Sequence, residues 1–185
     1  MDKIFVSAND LLIDTFHLAL SVEESGFSPD FIIGIWRGGA SISLTIQEYF
    51  SYRGVESEQL AIRTEKVGTN GSTRTIVNQD SLDFLHTKLE KNSSVLIIED
   101  IFASGNSVEA LITGIREQMG AETPEDIAIG SIWYKPTAKN TSLEPDFHLR
   151  KTKNWVVFPH ELAGLTSAEM KIGKPDIATL VSPVI

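Results

Sequence analysis

The sequence predicts an α/β fold of three layers, in which helices flank a mostly parallel central sheet. Short apolar runs that are typical of strands alternate along the chain with segments of helical spacing. One run, Val95–Ile98, is entirely aliphatic, as expected for a central parallel strand that is covered on both faces. The length of 185 residues, 42% of them apolar, predicts a single domain over 1–185 with a flexible loop at about 63–80.

The first half of the chain predicts two helices and three strands. Ser7 and Asp10 resemble a capping box at the start of the first helix. The run Gly68–Thr73 is rich in Gly, Asn, Ser and Thr, which is the composition of a mobile loop. The predicted helices span Ala8–Ser25 and Gly38–Tyr52, and the predicted strands span Phe31–Trp36, Gln59–Lys66 and Thr75–Asn78.

The second half continues the alternation. Because open parallel sheets place ligands at the carboxyl ends of their strands, the residues that follow each strand are the candidates for chemistry. The tail Ala168–Ile185 ends in an apolar segment that packs either on the domain or on a neighbour. The predicted helices span Ser81–Lys91 and Ser107–Met119, and the strands span Val95–Ile98, Ile127–Tyr134 and Trp155–Phe158.

Composition excludes several classes of function. A net charge of −9 and a pI near 4.9 disfavour broad nucleic-acid or anionic membrane surfaces. The absence of cysteine excludes disulfides, thiolate metal sites and thiol catalysis. The first residues do not have the pattern of a signal peptide, and no apolar stretch is long enough to span a bilayer. We therefore expect a cytoplasmic protein with no nucleic-acid and no membrane partner.

The segment that follows the strand Val95–Ile98 has the chemistry of a sugar-phosphate site. Two carboxylates, Glu99 and Asp100, end the strand, and a turn of small polar residues then leads into a helix. Backbone N–H groups at such a helix start can cradle a phosphate, while the acids accept hydrogen bonds from hydroxyls or hold a metal ion. The residue types alone also fit an exposed acidic strand end with an ordinary helix cap. The turn consists of Ala103, Ser104, Gly105, Asn106 and Ser107.

This run resembles the phosphoribosyl-pyrophosphate signature of the type I phosphoribosyltransferases: four apolar residues, two acids, two apolar residues and a small polar turn. The resemblance implies that Glu99 and Asp100 are the catalytic acids, which bind the ribose hydroxyls and a Mg²⁺ ion. It implies that Ala103 to Ser107 hold the 5′-phosphate. The partners implied are phosphoribosyl pyrophosphate, a purine base and further copies of the chain, since family members are commonly dimers or tetramers.

Two further segments offer cations to a polyanion. Arg37 follows a predicted strand, and Gly38 and Gly39 leave backbone N–H groups open at a helix start, although a glycine turn with a surface arginine has the same pattern. The segment is similar to the pyrophosphate loop of the family. The region 63–80, here called the hood, corresponds in the family to a mobile segment that shields the reaction. Its predicted ligand-facing cations are Arg63, Lys66 and Arg74.

The base site is predicted from two separated segments. Lys135 follows a strand and can donate to a carbonyl oxygen, and Trp155 either stacks on a flat base or belongs to the core. Together they resemble the xanthine, guanine and hypoxanthine branch, in which a lysine donates to the 6-oxo group and an aromatic residue covers the ring. The resemblance also implies that the backbone carbonyl of Val156 accepts a hydrogen bond from the edge of the purine ring. The 6-amino group of adenine is a hydrogen-bond donor and would face the lysine, which is also a donor. Oxopurines are therefore favoured over adenine.

One residue departs from the pattern of this branch. Ala103 stands where the oxopurine enzymes have an aspartate that moves a proton during transfer. Such a group contributes about 10²–10⁴ in rate. Three interpretations remain open: water or the hood manages the proton, the base is already deprotonated, or the protein binds phosphoribosyl ligands without converting them. A related enzyme that acts on another base is a further alternative.

Overall fold

The structure, a computed structural model, describes residues 3–68 and 74–181. It contains two compact units, a larger one of Leu12–Lys153 and a smaller one of Met1–Leu11 with Asn154–Ile185. This division leaves the predicted single domain over 1–185 a prediction. Among the described residues, no helix is both long and apolar enough to cross a membrane.

Eight strands and six helices are present among the described residues. The strands are β1 (Lys3–Phe5), β2 (Phe31–Trp36), β3 (Glu58–Val67), β4 (Arg74–Val77), β5 (Ser94–Phe102), β6 (Asp126–Tyr134), β7 (Phe147–Lys151) and β8 (Trp155–Val157). The helices are α1 (Ala8–Glu24), α2 (Gly38–Tyr52), α3 (Gln79–Lys88), α4 (Asn106–Met119), α5 (Ser167–Gly173) and α6 (Pro175–Leu180), and short 3₁₀ helices cover Gly120–Glu122 and Pro136–Ala138.

The larger unit is built on a six-stranded sheet in the order β4-β3-β2-β5-β6-β7. All neighbouring pairs are parallel except β3 and β4, which are antiparallel. Parallel neighbours require crossover connections, and α2 and α4 supply two of them. This arrangement confirms the predicted α/β fold with a mostly parallel sheet. It also places the carboxyl ends of β2 and β5, which are neighbouring parallel strands, side by side.

Apolar side chains cover both faces of the central strands. Val95 and Ile97 of β5 join a core cluster that includes Leu111 and Ile115 of α4. Leu96 and Ile98 are equally buried, and because side chains alternate along a strand they lie on the opposite face. The prediction of a strand covered on both sides is therefore confirmed for Val95–Ile98.

The predicted elements agree with the structure apart from several boundaries and omissions. The Ser7 hydroxyl accepts from the Asp10 N–H at 3.0 Å and caps α1 as predicted. The predicted strand Val95–Ile98 is longer in the structure, because β5 continues to Phe102 and includes both acids. Trp36, the last residue of β2, is 52% exposed. Four elements were not predicted from the sequence: β1, β7, α5 and α6.

In the smaller unit, β1 pairs in parallel with β8, and the tail packs against this pair. Lys3 on β1 forms an ion pair of 2.7 Å with Glu169 of α5. Lys174 is only 7% exposed and donates to the backbone carbonyls of Phe158, at 2.5 Å, and Pro159, at 2.9 Å. The start of the tail therefore packs on its own chain. Leu180, in the apolar end of the tail, is 82% exposed, so the alternative for that end stays open.

Candidate active site

Glu99 and Asp100 lie in the last four residues of β5 and are half-buried. Because side chains alternate along a strand, the two carboxylates point to opposite faces of the sheet. Glu99 accepts a hydrogen bond from Ser107 at the start of α4. Asp100 accepts from the Ile101 N–H at 2.9 Å and packs against Gly38 at the start of α2. A ligand at the carboxyl end of β5 would therefore contact Glu99 on one face of the sheet and Asp100 on the other.

The turn after β5 presents backbone N–H groups at the start of a fourteen-residue helix. Gly105 immediately precedes α4 and has a φ of +78°, a left-handed conformation that favours glycine. The Ser104 hydroxyl accepts from the Asn106 N–H at 3.3 Å. The first N–H groups of a helix have no partner within the helix and carry its positive dipole end, so this turn can receive an anion.

A chain of hydroxyl groups connects β3 to this turn. Thr64 of β3 donates to the Ser107 hydroxyl at 3.3 Å, and Ser107 in turn hydrogen-bonds Glu99. Ser107 was predicted to face a phosphate, but in this structure its hydroxyl hydrogen-bonds protein groups. Thr64 was not predicted as a site residue because it lies more than 40 positions from Ser107, and nothing in the sequence links the two.

The carboxyl group of Glu99 has an unusual affinity for protons. Its burial, followed by the negative charge of Asp100, raises the pKa of Glu99 from 4.5 to about 8, and the Ser107 hydrogen bond opposes this rise. Two carboxylates crowded at a strand end repel each other, which is costly for stability. Such crowding is characteristic of sites that are completed by a ligand.

We expect Glu99→Gln to stabilise the fold at about pH 9 but to have little effect at about pH 5. The folded-state pKa of about 8 lies above the ordinary carboxyl value of 4.5, so ionisation between these values favours the unfolded chain. Wild-type stability therefore falls as the pH rises through this range, and the neutral glutamine avoids the loss. Thermal unfolding at both pH values measures the effect. Glu122→Gln, at an exposed position after α4, is the control, and an equal effect of Glu99→Gln at both pH values would contradict the interpretation.

The turn between β2 and α2 lies beside the end of β5. Arg37 is exposed and precedes α2, and the peptide bond between Trp36 and Arg37 is cis. Gly38 and Gly39 are buried, and each is close to β5: a Cβ at Gly38 would overlap the Asp100 carboxylate, and one at Gly39 would overlap the Ile98 carbonyl. The two glycines thus allow the start of α2 to approach Asp100 closely.

We expect Gly38→Ala to destabilise the protein by about 1–3 kcal/mol, the usual cost of overpacking. The added methyl group would overlap Asp100, whose position the strand fixes. Gly114→Ala on α4 is the matched control, since its Cβ would meet only the flexible end of the Leu82 side chain, at 3.0 Å, and alanine favours helices. Urea unfolding compares the two variants, and equal stabilities would show that Gly38 is not required for this contact.

The described part of the hood contains the end of β3 from Arg63 onwards, all of β4 and the start of α3. Arg63 lies 3.5 Å from Glu65, whereas Lys66, three positions along β3, lies on the face that Thr64 shares. Arg74 begins β4 opposite Val67. The three cations are exposed, but Arg63 and Lys66 do not lie on one face. The predicted loop Gly68–Thr73 lies outside the described residues apart from Gly68.

The residues predicted to bind a base belong to different units. In the larger unit, half-buried Lys135 follows β6, and its backbone N–H donates to the Phe102 carbonyl at 2.8 Å, which ties it to the end of β5. In the smaller unit, Trp155 begins β8 and is 43% exposed, so it is not a core tryptophan. The Lys3 ammonium lies 4.8 Å from the centre of a Trp155 ring, and Val156 is buried.

The fold defines a class of protein: an α/β protein with an open, mostly parallel sheet, and proteins of this class bind ligands at the carboxyl ends of the strands. The chain belongs to the phosphoribosyl transferase domain family, which matches residues 7–163. This membership confirms the family predicted from the segment that ends β5. No curated protein sequence matches the chain.

Solved structures share the fold at low sequence identity. A purine phosphoribosyltransferase from Pyrococcus horikoshii is 22% identical with a TM-score of 0.70, and the match covers 90% of this chain and 99% of that one. A xanthine-guanine-hypoxanthine phosphoribosyltransferase from Helicobacter pylori is 16% identical with a TM-score of 0.63, covering 95% and 99%. A Neisseria gonorrhoeae protein with bound ppGpp is 14% identical with a TM-score of 0.68, covering 95% and 97%.

Proposed function

We propose that the protein transfers the 5-phosphoribosyl group of phosphoribosyl pyrophosphate to a 6-oxopurine base and releases pyrophosphate. The proposal rests on two neighbouring segments at the carboxyl end of the sheet. The acids of β5 and the turn that follows them lie beside the Arg37–Gly38 turn that follows β2. The segment at β5 suits a sugar phosphate and the turn after β2 suits a pyrophosphate, and these are the two parts of the donor.

The proposed roles follow from the chemistry of each group. Backbone N–H groups of the turn from Ala103 to Ser107 bind the 5′-phosphate, and Glu99 and Asp100 accept from the ribose hydroxyls. Arg37 forms charge-assisted hydrogen bonds with the pyrophosphate through its planar guanidinium group. The N–H groups of Gly38 and Gly39, at the positive end of α2, support the same ligand.

A Mg²⁺ ion fits one acid of the pair as part of a larger set of ligands. Among residues 3–68 and 74–181, no group of three or more carboxylate or imidazole side chains could hold a metal. Mg²⁺ is often bound by one or two carboxylates and completed by substrate phosphates and water. Because the carboxylates of Glu99 and Asp100 point to opposite faces of the sheet, either of them would hold the ion together with the donor. When bound, the ion would neutralise the leaving pyrophosphate.

The residues proposed to bind the base are Lys135, Trp155 and Val156, the last through its backbone carbonyl. Lys135 would donate to a 6-oxo group, and the exposed indole of Trp155 would cover the ring. The Pyrococcus and Helicobacter proteins are both purine phosphoribosyltransferases, which supports this class of base. Lys3 already lies over a Trp155 ring, so a base would stack on the other face.

The proposed reaction is substitution at the anomeric carbon. A purine nitrogen forms the new bond to this carbon as the bond to the pyrophosphate oxygen breaks, through a transition state with oxocarbenium character. The chain's own residues orient the partners and stabilise charge. The described parts of the hood, 63–68 and 74–80, are proposed to shield the activated sugar from water. The proton released from the base passes to water, because Ala103 offers no carboxylate to receive it.

Pyrophosphate release tests the proposal. The purified protein is incubated with Mg²⁺ and phosphoribosyl pyrophosphate, and guanine, xanthine, hypoxanthine, adenine, orotate and uracil are added separately. Release with an oxopurine, weakened by Lys135→Ala, supports the proposal. Release only with another base assigns the enzyme to a different branch, and no release with any base rejects the transferase activity under these conditions.

A second candidate is a regulator that binds phosphoribosyl compounds or nucleotides without turnover. Ala103 favours it because the usual proton-moving acid is missing. The Neisseria gonorrhoeae protein, which has a similar fold, has ppGpp bound, and this supports the second candidate. Mg²⁺-dependent binding of a nucleotide by calorimetry, without pyrophosphate release from any base, would select this candidate.

A further inference from the structure

A segment distant in the sequence packs on the turn after β5. This segment, Lys135–Leu143, is here called the support segment. The Lys135 N–H donates to the Phe102 carbonyl at 2.8 Å, and the Asn140 N–H donates to the Ser104 carbonyl at 2.9 Å. These two bonds attach the support segment to both sides of Ala103. The turn is therefore held by contacts from outside its own strand and helix.

Thr141 contributes the side-chain contacts of the support segment. Its hydroxyl donates to the Glu109 carboxylate in the first turn of α4 at 2.6 Å and accepts from the Leu143 N–H at 3.3 Å. Its methyl group lies where a Cβ on Gly105 would be, and the Phe102 ring limits the same space. Thr141 thus contacts both the left-handed glycine of the turn and the helix that follows it.

These contacts matter because the turn must aim several N–H groups at one anion. A short turn that is free to rearrange loses conformational entropy when it orders around a ligand, and this loss weakens binding. Thr141 restricts the turn from two directions: its methyl group packs on Gly105, and its hydroxyl fixes α4 through Glu109. The ion pair of 2.6 Å between Lys139 and Glu144 restrains the support segment itself.

We infer that Thr141 is a positioning residue that holds the turn from Ala103 to Ser107 in the shape that binds the 5′-phosphate. The inference rests on the proposed function, because it assigns Thr141 to the 5′-phosphate subsite of that function. Thr141 does not touch the reacting atoms in this account. It acts through Gly105 and Glu109.

The test compares ligands that use different parts of the donor. Affinity for phosphoribosyl pyrophosphate with Mg²⁺ is measured by calorimetry, and ribose 5-phosphate and inorganic pyrophosphate are measured by competition against it. Thr141→Val keeps the methyl contact and removes the hydroxyl bond to a charged acceptor. We expect Thr141→Val to weaken the binding of phosphoribosyl pyrophosphate and of ribose 5-phosphate about 10-fold. The affinity for pyrophosphate should change less than about twofold.

Three further variants make the result specific. Thr141→Ser restores the hydroxyl and is expected to bind within about threefold of the wild type. Glu109→Ala removes the acceptor at an exposed position and should repeat the effect of Thr141→Val, which keeps the test valid if the valine variant does not fold. Thr123→Ala, which loses a hydroxyl bond of 2.8 Å to the Gly120 carbonyl in an exposed turn, should bind like the wild type.

The outcomes separate the inference from the function on which it rests. If the wild type binds phosphoribosyl pyrophosphate and both Thr141→Val and Glu109→Ala bind it equally well, the positioning role is rejected and the function stands. If the affinities for all three ligands fall to the same extent, Thr141 acts only on general stability and the inference is also rejected. If the wild type does not bind phosphoribosyl pyrophosphate, the proposed function is rejected and the inference falls with it.

Discussion

Asp100→Asn is expected to lower kcat/KM for phosphoribosyl pyrophosphate by at least about 100-fold. Asp100 is proposed to accept from ribose hydroxyls and to hold Mg²⁺, and asparagine replaces one charged acceptor atom with a donor. A hydrogen bond to a charged group contributes about 1.5–3 kcal/mol, so losing such contacts together with metal affinity accounts for a factor of this size. This loss of kcat/KM is measured by steady-state kinetics, using the base that supports pyrophosphate release in the wild type.

The fold should survive this substitution. The amide oxygen of asparagine can still accept from the Ile101 N–H, and the side chain keeps its size beside Gly38. Removing the charge of Asp100 also removes one of the causes that raise the pKa of Glu99. We therefore expect a melting temperature equal to or above that of the wild type, which separates a loss of chemistry from a loss of structure.

Asp126→Asn is the matched control for Asp100→Asn. Asp126 begins β6, pairs with Ser94 and lies at the amino end of the parallel strands, opposite the proposed site. The chemical change is the same, and the residue is exposed. Its kcat/KM should remain within about twofold of the wild type. An Asp100→Asn enzyme that is as active as this control would remove Asp100 from the proposed machinery.

The local parts of the fold and site were predictable because their signals lie within a few residues. The aliphatic run Val95–Ile98 predicts a buried parallel strand, and the structure places it at the centre of the sheet. The small polar residues before α4 predict a turn and a helix start, and both are present. Strand alternation also places the side chains of Glu99 and Asp100 on opposite faces of the sheet.

The remaining features depend on tertiary contacts that no short window of sequence contains. Gly38 was predicted to open backbone N–H groups, and only the structure shows that it also leaves room for Asp100. Thr64 and Thr141 reach the turn after β5 from distant segments. β7 was missed because its five residues, Phe147–Lys151, are at most half-buried and therefore lack a strong apolar pattern.

Ala103→Asp is expected to raise kcat by about 100-fold if proton transfer limits the wild-type reaction. A positioned general acid or base typically contributes 10²–10⁴ in rate, and the oxopurine branch that this chain resembles has an aspartate at this position. Ala103 is half-buried in the turn after β5, so a carboxylate there has access both to the site and to solvent. The backbone bonds of the support segment flank Ala103 and should keep the turn in place.

A new carboxylate beside Glu99 and Asp100 also has a cost, because like charges at close range disfavour ionisation and raise the pKa of the group. The affinity for phosphoribosyl pyrophosphate is therefore expected to fall while kcat rises, and the two must be measured separately. Ala103→Asn is the control, since asparagine has the size and polarity of aspartate but cannot carry the proton. A rise in kcat with aspartate alone, accompanied by a new ionisation in the pH profile, would show that the missing acid limits the enzyme. No rise with aspartate would show instead that water, the hood or an already deprotonated base accounts for the proton, and that Ala103 does not limit turnover.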